Sequence, residues 1–212
     1  METRRCIIIG SSPDTDIDVI RSYIGNDDFI ACADGGHIYA ERLGIVPSLI
    51  VGDFDSGSRP GYRNTKIIVL PVKKDDTDTV SVINECIKMG FDEFLLFGMT
   101  GGRFDHTLAN LSVLYSLSKK GKAAYMIDKS STTRVISVGK TVIEGKTGYG
   151  FGIFPFACEE LYLSLSGFEY ELDNGKLTAD HPVGVSNTII NDKAEISVFS
   201  GTAVIVYYNL NP

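Results

Sequence analysis

Phe29-Ile30-Ala31-Cys32-Ala33-Asp34-Gly35-Gly36 decides how the first half of this chain folds. Five small or apolar residues run straight into an acid and two glycines. That reads as a buried strand ending in a turn, with glycines where backbone must pass close to something. The same design recurs outward from it. Leu49–Val51 runs into Gly52-Asp53-Phe54-Asp55-Ser56, and Lys66–Leu70 leads to Lys73-Lys74-Asp75-Asp76-Thr77-Asp78. Phe94–Phe97 leads to the loop from Gly98 to Asp105, which contains Gly101-Gly102-Arg103. Cys6–Ile9 and Ala123–Ile127 are further strand-like runs. Between several of them lie helical spacings: Ile17, Ile20 and Ile24, then Val80, Ile83 and Ile87. A third helix is expected from about His106 to Lys119, with Leu108, Leu111, Leu114 and Tyr115 on its apolar face. Strands alternating with helices predict an α/β domain over residues 1–130, a mostly parallel sheet with flanking helices.

After about Ser130 the rhythm changes. Arg134–Val138, Thr141–Ile143, Gly150–Phe154, Leu161–Leu165, Glu195–Phe199 and Ala203–Tyr208 are short β-prone runs broken by Gly, Asn and Asp. Residues 131–212 are therefore expected to form a separate all-β sandwich or barrel. At that size a lone β domain is marginal, so packing on the first domain or on a partner subunit is expected.

Composition narrows the function. Of 212 residues, 43% are hydrophobic and 22% charged, enough for a real core on a soluble surface. The net charge of -7 argues against nucleic acid, whose phosphates call for clustered Lys and Arg. Cys6, Cys32, Cys86 and Cys158 lie far apart without a C-x-x-C pair, and three sit in apolar runs, which fits a reducing compartment. The apolar run after Arg4-Arg5 stops at Gly10, too short for a signal-peptide core, and no stretch is long enough to span a bilayer. A cytoplasmic protein that engages no membrane is the expectation.

If the strands are parallel, the loops carrying Asp34, Asp53 and Asp55, Asp75 to Asp78, and Arg103 with Asp105 all leave from one sheet edge. Open α/β sheets bind ligands there. Two carboxylates about 4 Å apart repel by roughly 4 kcal/mol near a protein surface, so acids gathered on one edge call for a cation. Asp oxygens without Cys or His favour a hard ion, commonly Mg²⁺ shared with phosphate oxygens. Lys73, Lys74 and Arg103 offer the positive charge a phosphate needs. Gly35-Gly36 and Gly101-Gly102 each precede a predicted helix, whose free N–H groups attract anions. Neither a P-loop pattern nor G-x-G-x-x-G occurs. Each signal also has an ordinary alternative: Asp34 as a turn former, Asp78 and Asp105 as helix caps, Lys73-Lys74 as a solvated pair, His37 and His106 as structural or exposed. Their coincidence on one edge carries the functional reading.

Taken together, Ala33-Asp34-Gly35-Gly36, Gly52-Asp53-Phe54-Asp55-Ser56, Asp75-Asp76-Thr77-Asp78 and Gly102-Arg103-Phe104-Asp105 resemble the thiamine pyrophosphokinase family. Gly167-Phe168-x-Tyr170-x-Leu172 and Gly184-Val185-Ser186-Asn187 extend the resemblance over nearly the whole chain. The resemblance implies an α/β nucleotide domain followed by a β-sandwich that binds thiamine and dimerises. It implies a homodimer with active sites between subunits, and transfer of diphosphate from ATP to the hydroxyl of thiamine. Asp53, Asp55 and Asp75 would hold Mg²⁺. Asp34, Gly35, Lys74, Arg103, Asp105 and Asn110 would place ATP, and Thr77, Asp78, Ser186 and Asn187 would meet thiamine. Asp55, Asp75, Asp78 and Arg103 would carry the catalysis. Without that resemblance, Ser186-Asn187 reads as an ordinary turn. Asp78 and Asp55 are candidates to accept the hydroxyl proton, but a metal-bound carboxylate is a poor base and the role stays open. Phe168 and Tyr170 are candidates for stacking on the thiamine pyrimidine, with core packing the alternative for both.

Two rivals use the same residues. Asp53-Phe54-Asp55 mimics the D-x-D nucleophile loop of haloacid-dehalogenase-type phosphatases, although Gly57 stands where those want Thr or Val. A nucleotide or thiamine sensor would bind on the same edge without turnover.

Overall fold

The computed structural model describes residues 3–55, 60–73 and 75–210. The chain divides into two compact units, Met1–Lys129 and Ser130–Pro212.

The first unit runs β1 (Arg5–Ile9), α1 (Ile17–Tyr23), β2 (Phe29–Ala33), a 3₁₀ turn (Asp34–Gly36), α2 (His37–Arg42), β3 (Leu49–Gly52), β4 (Lys66–Val69), α3 (Asp78–Lys88), β5 (Glu93–Phe97), α4 (Phe104–Lys119) and β6 (Ala123–Ile127). Its strands lie in the order β6-β5-β1-β2-β3-β4, all parallel. The central strands read as unbroken apolar runs because both faces are covered. Cys6 through Ile9 are fully buried, as are Leu49 to Val51. Ile7 and Ile9 join Ile20 of α1 and Ala40 of α2 in one cluster. Cys6 meets Cys86 of α3 on the other face, Sγ to Sγ 3.5 Å. Truncating a core side chain such as Ile8 to Ala would cost about 2–5 kcal/mol.

Helix starts follow capping chemistry. Asp16 accepts the Asp18 and Val19 N–H groups at the start of α1, and Thr77 Oγ1 accepts the Val80 N–H at the start of α3, 3.2 Å away. Asp78, expected as a possible cap, is instead the first helical residue. The apolar face of α4 also differs from expectation. Val113, Leu114 and Leu117 are buried with Asn110, whereas Leu108 is exposed. The reason is positional: the first turns of α4 border a cavity rather than the sheet, so the buried stripe begins only at Asn110.

The second unit contains β7 (Ser131–Ile136), β8 (Gly139–Glu144), β9 (Gly150–Pro155), β10 (Glu160–Ser166), β11 (Leu172–Thr178), β12 (Asn187–Thr188), β13 (Lys193–Ser200) and β14 (Ala203–Tyr208). One antiparallel layer is ordered β12-β9-β14-β7 and the other β11-β10-β13-β8. Alternating side chains from both layers, among them Phe151, Ile153, Ile205, Leu161, Leu163 and Ile196, share one core with Phe168. This is a sandwich rather than a barrel. Phe168 is fully buried with its ring 4.4 Å from that of Phe151, so it belongs to the core and not to a stacking surface.

Candidate active site

Register fixes where the loops emerge. Ile9 is level with Cys32 and with Phe97, Ala33 with Val51, and Gly52 with Val69. The loops after β1, β2, β3, β4 and β5 therefore leave from one edge. From β1 the chain builds β2, β3 and β4 in one direction, then crosses back and sets β5 on the other side of β1. The place between β1 and β5 is the topological switch point, where neighbouring loops diverge and leave a crevice.

A cavity of about 540 Å³ opens there, within the usual size range of small-ligand sites. Gly10 to Pro13 after β1 form one wall, and Gly98, Met99 and Gly101 to Arg103 after β5 form the opposite one. Ala33 and Asp34, then Thr77 to Thr79, complete the sides, with His106, Ala109 and Asn110 of α4. Asp34 adopts a left-handed conformation, φ 45, which Asp tolerates better than most residues. Its carbonyl accepts from His37 Nδ1 at 2.8 Å, so that ring nitrogen carries the proton. His37 is thereby a structural group. A Cβ on Gly52 would lie 2.8 Å from Asp34 Cα, so glycine there lets the loops after β2 and β3 touch.

Of the residues expected to serve the chemistry, Asp34, Thr77, Asp78, Arg103 and Asn110 line this cavity. One Asp78 carboxylate oxygen, Oδ1, is buried in the wall. Asn110 is buried and donates from Nδ2 to the Met99 carbonyl at 2.8 Å, fixing the loop after β5. Asp53, Asp55, Asp75, Asp105 and Gly35 stand outside the wall, on the same edge. Asp53 Oδ1 accepts the Asp55 N–H at 3.3 Å, and Phe54 between them takes φ 55 and packs inward on the core of the first unit. Asp53 is half-buried and Asp55 exposed. Lys74, Ser56 and Gly57 lie outside the described residues.

Arg103 is joined to Asp105 by two hydrogen bonds, Nε to Oδ1 at 3.1 Å and Nη2 to Oδ2 at 2.5 Å. The hydrogen bonds from Arg103 hold the Asp105 carboxyl below its ordinary range, and Asp105 in turn raises the guanidinium. The Gly102 N–H, just ahead of α4, donates to Asp14 Oδ2 at 2.8 Å.

In the second unit, Asn187 is buried and its amide is committed. Oδ1 accepts the Tyr170 N–H at 2.9 Å and the Thr188 N–H at 2.8 Å, while Nδ2 donates to the Tyr170 carbonyl at 2.8 Å. Both oxygen lone pairs are used, so the side chain anchors Tyr170. Ser186 is exposed at φ 58, and Tyr170 is also exposed.

Sequence reasoning passed over the loop Gly10-Ser11-Ser12-Pro13. The available signal was that β1 is the first strand of an alternating series and ends in a polar loop, which is where a switch point is to be sought.

A cation would have to use the donors present. Asp53, Asp55 and Asp75 offer only carboxylate oxygen, the chemistry of a hard ion. Among the described residues no group of three or more His, Cys, Asp or Glu side chains is gathered closely enough to hold a metal.

The thiamin pyrophosphokinase catalytic-domain model matches residues 20–126, and the vitamin B1 binding-domain model of the same family matches residues 140–203. The thiamine pyrophosphokinase of Bacillus subtilis is 27% identical over 205 residues, 94% of this chain and 96% of that one. Thiamin pyrophosphokinase 1 of Caenorhabditis elegans is 27% identical over 153 residues, 68% of this chain and 63% of that one. In fold, the chain resembles the crystal structure of the Bacillus subtilis enzyme with a TM-score of 0.88 at 24% identity, over 97% of this chain and 99% of that one.

Proposed function

The chain belongs to the thiamin pyrophosphokinase family, and from that premise we infer that it transfers diphosphate from ATP to the hydroxyl of thiamine, releasing AMP. The phosphatase and sensor readings are not favoured by that membership. The observation that carries the site assignment is the switch-point cavity lined by Asp34, Asp78 and Arg103.

ATP occupies the cavity between the loops after β1 and β5, with Asp34, Gly35, Lys74, Asp105 and Asn110 helping to place it. Thiamine's primary alcohol attacks the β-phosphorus in line; an O–P bond forms as the bond to the α-phosphate oxygen breaks, and AMP departs. Such transfers ask little covalent work of a protein, so positioning and charge neutralisation dominate. Arg103 offers a planar fork to phosphate oxygens. Asp78, at the cavity wall, accepts the proton of the attacking hydroxyl in preference to Asp55, which stands off it. Thr77 caps α3 and so holds Asp78 in place. Asp53, Asp55 and Asp75 are the acids on this edge that would hold Mg²⁺, which would neutralise phosphate charge.

Ser186 contributes to thiamine binding from the second unit, with Asn187 fixing its surroundings. The protein acts as a homodimer. Val142, Tyr162 and Phe199 support this, since they leave apolar side chains exposed on the β8, β10 and β13 layer, away from its core. It works in the cytoplasm, in keeping with four free cysteines. Among the described residues no helix is long and apolar enough to cross a membrane.

Following AMP formation from Mg-ATP by the purified protein tests the reading. AMP that appears only with thiamine present is expected. AMP released without thiamine, or none with it, would overturn the assignment.

A further inference from the structure

We propose that Asp14 is a positioning residue for ATP, acting through the glycine loop after β5. This rests on the switch-point cavity being the ATP site. Asp14 touches no part of the cavity itself, yet its Oδ2 accepts the Gly102 N–H at 2.8 Å across 88 residues of sequence. Gly101 passes so near that a Cβ on it would lie 2.8 Å from Asp14 Cβ. Gly101 and Gly102 take φ 83 and 60 in succession, a conformation that glycine enters freely and side-chain-bearing residues resist, so contacts rather than local sterics decide which shape this loop keeps.

Ser12 supplies the rest of the clasp. Its N–H donates to the Gly98 carbonyl at 3.1 Å and its hydroxyl to the Thr100 carbonyl. Tyr39 holds the Ser12 carbonyl from behind through its hydroxyl at 2.7 Å, and Thr15 Oγ1 donates to the same carbonyl at 2.5 Å. The loops after β1 and β5 are thus one hydrogen-bonded unit that aims the residue following Gly102, Arg103, at the cavity. The role of Asp14 is geometric and opposed to its charge, since a carboxylate beside a triphosphate site repels the ligand.

Those two effects separate by substitution. Asp14→Ala removes the acceptor; Asp14→Asn keeps an acceptor oxygen and removes the charge. With Asp14→Ala the KM for ATP should rise about tenfold, as for loss of a hydrogen bond to a charged group, while the KM for thiamine stays put. Asp14→Asn should restore the wild-type KM for ATP or improve on it. Three outcomes would overturn the role: an unchanged KM for ATP in Asp14→Ala, equal rises for both substrates, or Asn failing to rescue. Melting temperatures of both variants within a few degrees of wild type show that the fold is intact; should Asp14→Ala not fold, Asp14→Leu, without an acceptor, supplies the same comparison. Wild-type protein is assayed alongside, and if it makes no thiamine-dependent AMP, the parent reading fails and not the role of Asp14 alone.

Discussion

Arg103 and Asp105 face each other across a single intervening residue, joined at two points, with both side chains largely in solvent. Exposed pairs add little to stability, so a doubly bonded one at a cavity rim points to orientation of the guanidinium. Arg103→Lys keeps the charge but not the fork. We predict a rise of about tenfold in the KM for ATP, the cost of a bidentate contact reduced to a point charge, with an unchanged melting temperature. Unaltered ATP kinetics would remove Arg103 from the site.

Asp55 and Asp75 are exposed, so their neutralisation should spare the fold. Asp55→Asn and Asp75→Asn are each expected to lower turnover by at least about a hundredfold, as when transition-state charge stabilisation is removed. Titrating Mg²⁺ in the same assay should give a higher half-saturating concentration for any residual activity. Near-normal turnover in either variant would contradict its assignment to the metal.

Asn187 and Ser186 are neighbours with separable parts to play. Asn187→Ala removes three partly buried hydrogen bonds, with the Tyr170 N–H and C=O and the Thr188 N–H, each contributing about 0.5–1.5 kcal/mol. The melting temperature should fall by several degrees, at roughly 2–4 °C per kcal/mol for a chain of this size. Ser186→Ala should leave melting unchanged and raise the KM for thiamine alone. The reverse pattern would exchange their roles.

Much of this was legible in the residues, and what was not has a physical reason. Phe29–Ala33 and Ala123–Ile127 stand out because strands buried on both faces are continuous apolar runs. Leu172–Thr178 was missed because it carries Asp-Asn-Gly, a turn signature, and lies on a sheet edge where one partner strand and a single buried side chain leave little pattern. Helix α2 was expected after Gly35-Gly36, but its extent was not, because its six residues bury only His37 and Ala40, too little for a period to show. The acids along the edge were visible one by one. That Ser11 to Pro13 would stand opposite Gly101 and Gly102 was not, because nothing local states that β1 pairs with β5.

Asp28 gives a pH test. Burial alone would raise its carboxyl, but hydrogen bonds from Arg5 and from the Gly25 N–H, together with the Arg5 charge, outweigh that and hold it below its ordinary value. A lowered folded-state value means stability that is fully present above the unfolded value, near 3.9, and lost as pH falls through the folded one. Asp28→Asn should therefore cost about 1 kcal/mol in urea melts at pH 7, discounted because Arg5 is partly exposed. The gap to wild type should close as pH drops through the folded-state value. A gap that persists in full at the acid end would mean that the ion pair is not its source.

The order of strands has a consequence for synthesis. The partner of β1 on one side, β2, emerges almost at once, but the other, β5, is made only some eighty residues later. Until then a nascent chain on the ribosome carries Ile7-Ile8-Ile9 as an open, unpaired parallel edge, the kind of surface that recruits other strands. Truncated products ending before Glu93 would therefore be sticky, and a translational pause there would favour chaperone capture over folding.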